Sequence, residues 1–332
     1  MKTASILLAL LGLAFATGLT AWLGAGAVLR AVLSVGSGGF ALLVLGQLLS
    51  DGLLALAWRA ACPRDVLNIG LGRLLLARMV REAGITCLPF SQLGGILIGI
   101  RATSSGFGRR VPWPEAVAAN VVDITAEVIG QIGFVLLGLA FLLDRRPGNG
   151  LAGPLTLGML LAIGVVAGFI WAQRGASGLL RRGGVLLGRS LTGRWAGIDS
   201  LQQRLDALYA RPGRIAAAGL VQLAAWIGSA AWVWLAYRLL GAPIGLGSAM
   251  AIEGVASGIL SVSFLMPAAL GVQEAAYVAL GSLFGLDPHF SFGLSLLRRG
   301  RDLAIGAPTL LLWQWTEVRR LRRDATLDPP GP

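Results

Sequence analysis

Asp123 and Glu127 stand four residues apart in an apolar stretch, a spacing that puts two carboxylates on one face of a helix. A second apolar stretch carries Arg298, Arg299, Arg301 and Asp302, of which Arg298, Arg301 and Asp302 share a helix face. Two chemistries suit such groups. Paired carboxylates exchange protons as general acid and base, and the arginine fork takes carboxylate or phosphate by paired hydrogen bonds. Acid/base catalysis lacks its companions here, because no nucleophile has a neighbouring base and neither H-E-x-x-H nor G-x-S-x-G occurs. At the centre of a membrane helix each charge costs ~2.5–3.5 kcal/mol on insertion scales, so unpaired charges are excluded. The three acids Asp123, Glu127 and Asp302 balance the three arginines, and the expectation is an ion-pair network joining the two stretches.

The elements that must position these residues are membrane helices. The chain has 332 residues, 55% hydrophobic and only 13% charged, with a mean hydropathy of +0.74. That charged share is about half the usual value for a soluble domain. The apolar residues fall in runs long enough to cross a hydrocarbon core of ~30 Å. Six full spans are read at 5–23, 35–58, 113–143, 155–172, 214–240 and 290–315. The first has a signal-peptide alternative, since Lys2 precedes it and Ala25-Gly26-Ala27 resembles a cleavage site, but its apolar part is longer than usual for one.

Composition removes other functions. One histidine, His289, and two cysteines, Cys62 and Cys87, are too few for a His/Cys metal site or a disulfide framework. Lys2 is the only lysine, so no phosphate loop of the G-x-x-x-x-G-K-[ST] kind exists. No cofactor is expected. A net charge of +12 points to anionic lipid rather than nucleic acid, because the arginines lie between apolar runs and not on a soluble patch.

Counted from a cytoplasmic N-terminus, most basic residues collect on one face, including Arg59, Arg64, Arg73, Arg78, Arg81, Arg101 and the groups at 174–214 and 319–323. Arg30, Arg145 and Arg146 remain opposite, which places both termini in the cytoplasm. Segment 175–212 is then a cytoplasmic basic arm whose leucines, Leu201, Leu205 and Leu208 among them, suit a helix lying on anionic headgroups. A solvated linker is the competing reading.

Two hydrophobic segments are too long for loops and too broken for single spans. The first contains Pro89 and the pair Gly94-Gly95, the second Pro267 and Gly271, and both points are read as helix breaks that gate the protein. Each segment is taken as a re-entrant hairpin; two thin spans joined at a kink would give the same side count. Pro89 lies 34 residues before Asp123 and Pro267 lies 34 before Arg301, so 60–143 and 246–316 read as two copies of one unit. With three spans between them, the second copy is inverted relative to the first, as in alternating-access transporters. The whole is a single integral-membrane domain: 1–59 holds the first two spans, 144–174 and 213–240 hold the intervening spans, and 317–332 is a cytoplasmic tail.

Further polar residues extend the set. They are Glu253 and Glu274 in the second hairpin, Arg78, Arg81 and Glu82 in the first, and Asp51 with Gln47 one turn earlier in the second span. Glu274 faces the cavity beyond the Pro267 break or serves as a helix-end carboxylate. Gln92 and Gln131 read as interhelical hydrogen-bond partners.

The runs LPFSQLGG and VVDITAEVIGQ, and later FLMPAALGVQEAAYVALGSLFG followed by LLRRGRD, resemble the transmembrane part of the lysylphosphatidylglycerol synthase family. As an integral-membrane unit without appendages, the chain is most similar to the hopanoid-biosynthesis-associated branch. In the full-length synthases of that family the membrane part is implied to flip aminoacylated lipid, while a separate soluble domain transfers the aminoacyl group. This chain ends soon after its last span, so lysyl transfer is not expected of it, and the protein is read as no enzyme. The resemblance implies lipid handling at Pro89, Asp123, Glu127, Pro267, Glu274 and Arg301.

The function expected is a multi-pass lipid translocase or lipid-export component of a bacterial inner membrane, acting on a phospholipid or hopanoid. Arg298 and Arg301 would hold the headgroup, with Asp123, Glu127, Asp302 and Glu274 completing the substrate site. The alternatives are a non-transporting scaffold for lipid-biosynthesis enzymes and an enzyme that modifies lipid headgroups.

Overall fold

The computed structural model describes residues 25–65, 67–87, 91–105, 110–145, 203–262 and 271–327, with the single positions 153, 160, 164 and 201. Among these residues the secondary structure is helical and no strand occurs. In chain order the helices are α1 (Ala25–Ser34), α2 (Gly36–Ala61), α3 (Leu71–Cys87), α4 (Ser91–Ser105), α5 (Trp113–Arg145), α6 (Pro212–Leu239), α7 (Leu246–Val262), α8 (Val272–Leu283) and α9 (Pro288–Leu327).

Three of these helices, α2, α5 and α6, are long and apolar enough to cross a membrane, with hydropathies of 1.9, 2.1 and 1.5. They coincide with three of the expected spans. The expected span at 290–315 lies inside α9, a 40-residue helix that carries Pro308 in its interior. The span at 5–23, all but two residues of that at 155–172, most of the basic arm, and both Pro89 and Pro267 lie outside the described residues. Residues 25–34, read from sequence as a connection, form α1. Gly36, at a φ of 73° that favours glycine, separates α1 from α2.

The packing repeats itself. Helix α2 packs on α6, α3 on α4 and α9, α5 on α4 and α7, α8 on α7 and α9, and α6 on α5, α7 and α9, while α2 also meets α3, α5 and α9. Exchanging α2–α5 with α6–α9 sends each of these pairings to another that is also present. Helices α3 and α7 have 17 residues each, and both α3 to α7 and α5 to α9 are offset by 175 positions at their starts. The bundle has two large apolar cores, each drawing on helices of both halves. One is built on Trp58, Leu67, Leu74 and Val122, the other on Trp232, Tyr237, Ile252 and Leu294.

Glycines set two of the closest helix approaches. Gly138 of α5 and Gly254 of α7 lie back to back, so that a Cβ on either would fall 2.7 Å from the other's Cα. A Cβ on Gly95 would fall 2.7 Å from the Ile85 nitrogen and 2.8 Å from the Arg81 carbonyl oxygen. This corrects the reading of Gly94-Gly95 as a helix break: both sit inside α4, and Gly95 lets α4 lie directly on α3. Helix α3 ends at Cys87 and α4 begins at Ser91. Gly271 does stand at a break, at a φ of 78° and immediately before α8.

The visible end of the basic arm is also corrected. Leu208 is buried, and Leu201, Leu205 and Tyr209 pack with it against the first core rather than facing headgroups. Arg204 pairs with Glu115 at 2.8 Å and Arg211 with Asp65 at 2.8 Å, fastening residues 203–211 to the bundle.

Candidate functional site: two ion-pair networks in the helix bundle

The first network joins α3 to α5. Arg78 donates to Asp123 Oδ2 at 2.8 Å and pairs with Glu127 at 2.9 Å and with Glu82, one turn along its own helix, at 3.1 Å. Arg81, one turn from Arg78, donates to the same Asp123 oxygen at 2.6 Å and to Glu127 at 3.2 Å. Both arginines are buried, so their charges stand in a medium where an unpaired guanidinium would be prohibitive. Asp123 also accepts from Gln222 of α6 at 3.4 Å. Arg81 lies 5.5 Å from the centre of the Trp58 ring, whose Nε1 donates to the Ala119 carbonyl at 3.0 Å. Asn120 bonds the Ala116 carbonyl and Thr103, which ties α5 to α4 below the arginines.

The second network joins α7, α8 and α9. Arg298 donates to both oxygens of Glu253, at 2.9 and 3.1 Å, and touches the Tyr277 hydroxyl, which donates to Glu253 at 2.6 Å. Arg299 grips Glu274 through Nε at 2.9 Å and a terminal nitrogen at 2.5 Å. Glu274 is at once the helix-end carboxylate of α8, accepting from the Gly271 N–H at 2.9 Å, as one of the two sequence readings expects. Arg301 bonds its neighbour Asp302 at 2.9 and 2.6 Å and lies 4.3 Å from the centre of the Trp232 ring.

The inner ion pair of each network recurs in the other with its signs exchanged. The pair Arg78–Asp123 and the pair Glu253–Arg298 each span 45 positions and differ by the same 175 that relates the helices. In the first half the short helix carries the cation and the long helix the anion; in the second half the reverse holds. The same offset takes Glu127 to Asp302. This register corrects the sequence reading, which set Asp123 opposite Arg301: its counterpart is Arg298.

The expected partnership also changes. Asp123 and Glu127 neutralise Arg78 and Arg81 of their own half, while Arg298, Arg299 and Arg301 find Glu253, Glu274 and Asp302 in theirs. No ion pair among the described residues joins Asp123 or Glu127 to Arg298, Arg299 or Arg301. A helix wheel locates a charge on a face but not the neighbour it meets, and charges can balance within a half as well as across it. Arg78 and Arg81 consequently leave the loop charges on which the side count rested. The 175-residue offset between like-placed opposite charges was the sequence signal that named the true pairs. Trp58, Trp232 and Tyr277, missed by the sequence reading, gave no such signal.

Exposure divides the carboxylates into two classes. Asp123 and Glu253 are sealed, at 0% and 1%, whereas Glu127 and Asp302 are each 26% accessible and Glu274 is 18%. Each half thus has an inner lock and an outer carboxylate that shares arginine charge with the surface. No His/Cys/Asp/Glu group able to hold a metal occurs among the described residues. Outside the helices, burial and the charge of Asp123 push the Cys62 thiol up from its ordinary range, and both cysteines are free and buried.

Three long apolar helices, packed with helices whose buried arginines are held by carboxylates, define a helical membrane protein. The chain matches the family described as the lysylphosphatidylglycerol synthase TM region over residues 9–308, and it belongs to that family. No curated protein and no solved structure matches it.

Proposed function

We propose that the protein is a multi-pass lipid translocase of a bacterial inner membrane, with a phosphate-bearing lipid headgroup as its cargo. The observation that carries this reading is the first network, where a sealed carboxylate, Asp123, and an accessible one, Glu127, share the same two arginines. A headgroup phosphate replaces an outer carboxylate, Glu127, Asp302 or Glu274, on its arginine, while Asp123 keeps the forks of Arg78 and Arg81 aimed and Glu253 that of Arg298. Arg301 and Arg298 then hold the substrate in one half, and Arg78 and Arg81 in the other.

The sign-exchanged inner pairs support an inverted repeat, whose halves open to opposite faces in turn with both termini in the cytoplasm. The arginines favour a phospholipid over a hopanoid, whose hydrocarbon rings offer nothing to a guanidinium. Purified protein in vesicles of phosphatidylglycerol and phosphatidylcholine is expected to move a fluorescent phosphatidylglycerol between leaflets faster than protein-free vesicles. Movement confined to a hopanoid analogue would redirect the substrate; movement of neither, with the protein folded, would leave the scaffold reading.

A further inference from the structure

Four acids are buried among the described residues: Asp51, Asp123, Glu253 and Glu317. Asp123, Glu253 and Glu317 each hold an arginine. Asp51 does not. It is 3% exposed, and its one hydrogen-bond partner among the described residues is Gln47, which donates to Oδ1 at 2.9 Å from the preceding turn of α2. Its position is central, because α2 packs on both α3 and α9, the arginine-bearing helices of the two halves.

The charges around it come from each side. Arg78 from α3 and Arg301 and Asp302 from α9 act on Asp51, and Asp51 in turn acts on Glu82 of α3. Asp123 and Glu127 of α5 stand behind Arg78 as its ion-pair partners. The ionisable residues of α6 and α1, also packed on α2, are Arg214, Tyr237, Arg238 and Arg30, so neither helix brings a carboxylate.

We infer that Asp51 is a proton-binding site, and that its proton travels with the lipid; the second clause rests on the translocase reading above. A buried carboxylate without a cationic partner is costly as an anion, whereas its neutral acid carries no charge to desolvate and keeps the hydrogen bond that Gln47 donates to Oδ1. The proton is taken on Oδ2, leaving Oδ1 to Gln47, and the side chain passes from −1 to neutral. The positive fields of Arg78 and Arg301 favour the anion. A headgroup phosphate brings one more negative charge beside either arginine, since the carboxylate it displaces stays in the protein, so the phosphate and the proton bind with positive coupling. Release of the phosphate removes that charge and expels the proton, which makes the pair move together in one direction.

Infrared difference spectroscopy of the protein in lipid, titrated from acid to alkaline pH, tests the site without any transport. A carboxylic-acid carbonyl band that titrates in wild type and is missing in Asp51→Asn supports it; an identical band in both overturns it. The second arm measures phosphatidylglycerol movement in vesicles carrying a gradient of one pH unit. Movement from the acidic side is expected to be several-fold faster, with ~10-fold as the ceiling for one coupled proton, and the bias is expected to vanish in Asp51→Asn. Lipid movement that ignores the gradient, or that follows sodium instead, overturns the coupling. A titrating Asp51 band with no lipid movement under any condition leaves the proton site standing and removes the translocase.

Discussion

Arg298 and Glu253 allow stability and function to be separated at a single pair. Removing one partner, as in Glu253→Ala, leaves a buried guanidinium uncompensated and is expected to cost ~3–5 kcal/mol. Replacing both with methionine removes both desolvation penalties and is expected to restore most of that loss. Thermal unfolding in detergent reads the stability, and lipid movement is expected to stay lost in the double variant because the phosphate has no fork to meet. Recovery of movement along with stability would make this pair a structural tie only. Cys62 offers a simpler check: its raised thiol is buried, so maleimide is expected to leave it unlabelled in the folded protein at neutral pH and to label it after denaturation.

Individual helices should answer to their glycines. Gly138→Ala and Gly254→Ala each force a methyl against facing backbone, where no side chain can swing away, and are expected to cost ~1–3 kcal/mol by parting α5 from α7. Gly52 in α2 has open space around it, and Gly52→Ala is expected to be neutral or stabilising in the same unfolding measurement. The tie between Arg211 and Asp65 should loosen in acid. The hydrogen bond from Arg211 holds the Asp65 carboxyl below the usual range, so its contribution is full above that range and is lost as pH falls through the lowered value. Amide hydrogen exchange in residues 203–211 is expected to quicken on acidification beyond its intrinsic rate, and less so in Asp65→Asn.

Helices α2, α5 and α6 were legible because continuous apolar runs report length directly, and their bounds agree with the expected spans to within three residues. Gly95 shows the limit at this scale. A glycine that breaks a helix and one that admits a neighbour look alike in one dimension, and only the α3–α4 contact distinguishes them. The candidate site divides in the same way. Every arginine and carboxylate in it was visible as a charge in an apolar setting, but rotation about each helix axis, and therefore the partner of each charge, depends on packing between distant segments.

For the whole molecule, the translocase we propose works by alternating access. In that proposal the inner locks, Arg78–Asp123 and Glu253–Arg298, hold each half together while the halves move against each other at contacts that include α3 with α9 and α5 with α7. Those contacts are small-residue surfaces, with Gly306 of α9 against Ala83 and Cys87 of α3 and Gly138 against Gly254. Smooth faces of this kind slide with little steric penalty, which suits rigid halves rocking about α2 and α6. The most direct measurement is the initial rate of phosphatidylglycerol movement in proteoliposomes for wild type, Arg301→Ala and Asp123→Asn, each shown to be folded. The account predicts movement in wild type and its loss in both variants, because one lacks the fork and the other lacks the anchor that aims Arg78 and Arg81. Wild-type rates retained in both variants would contradict it.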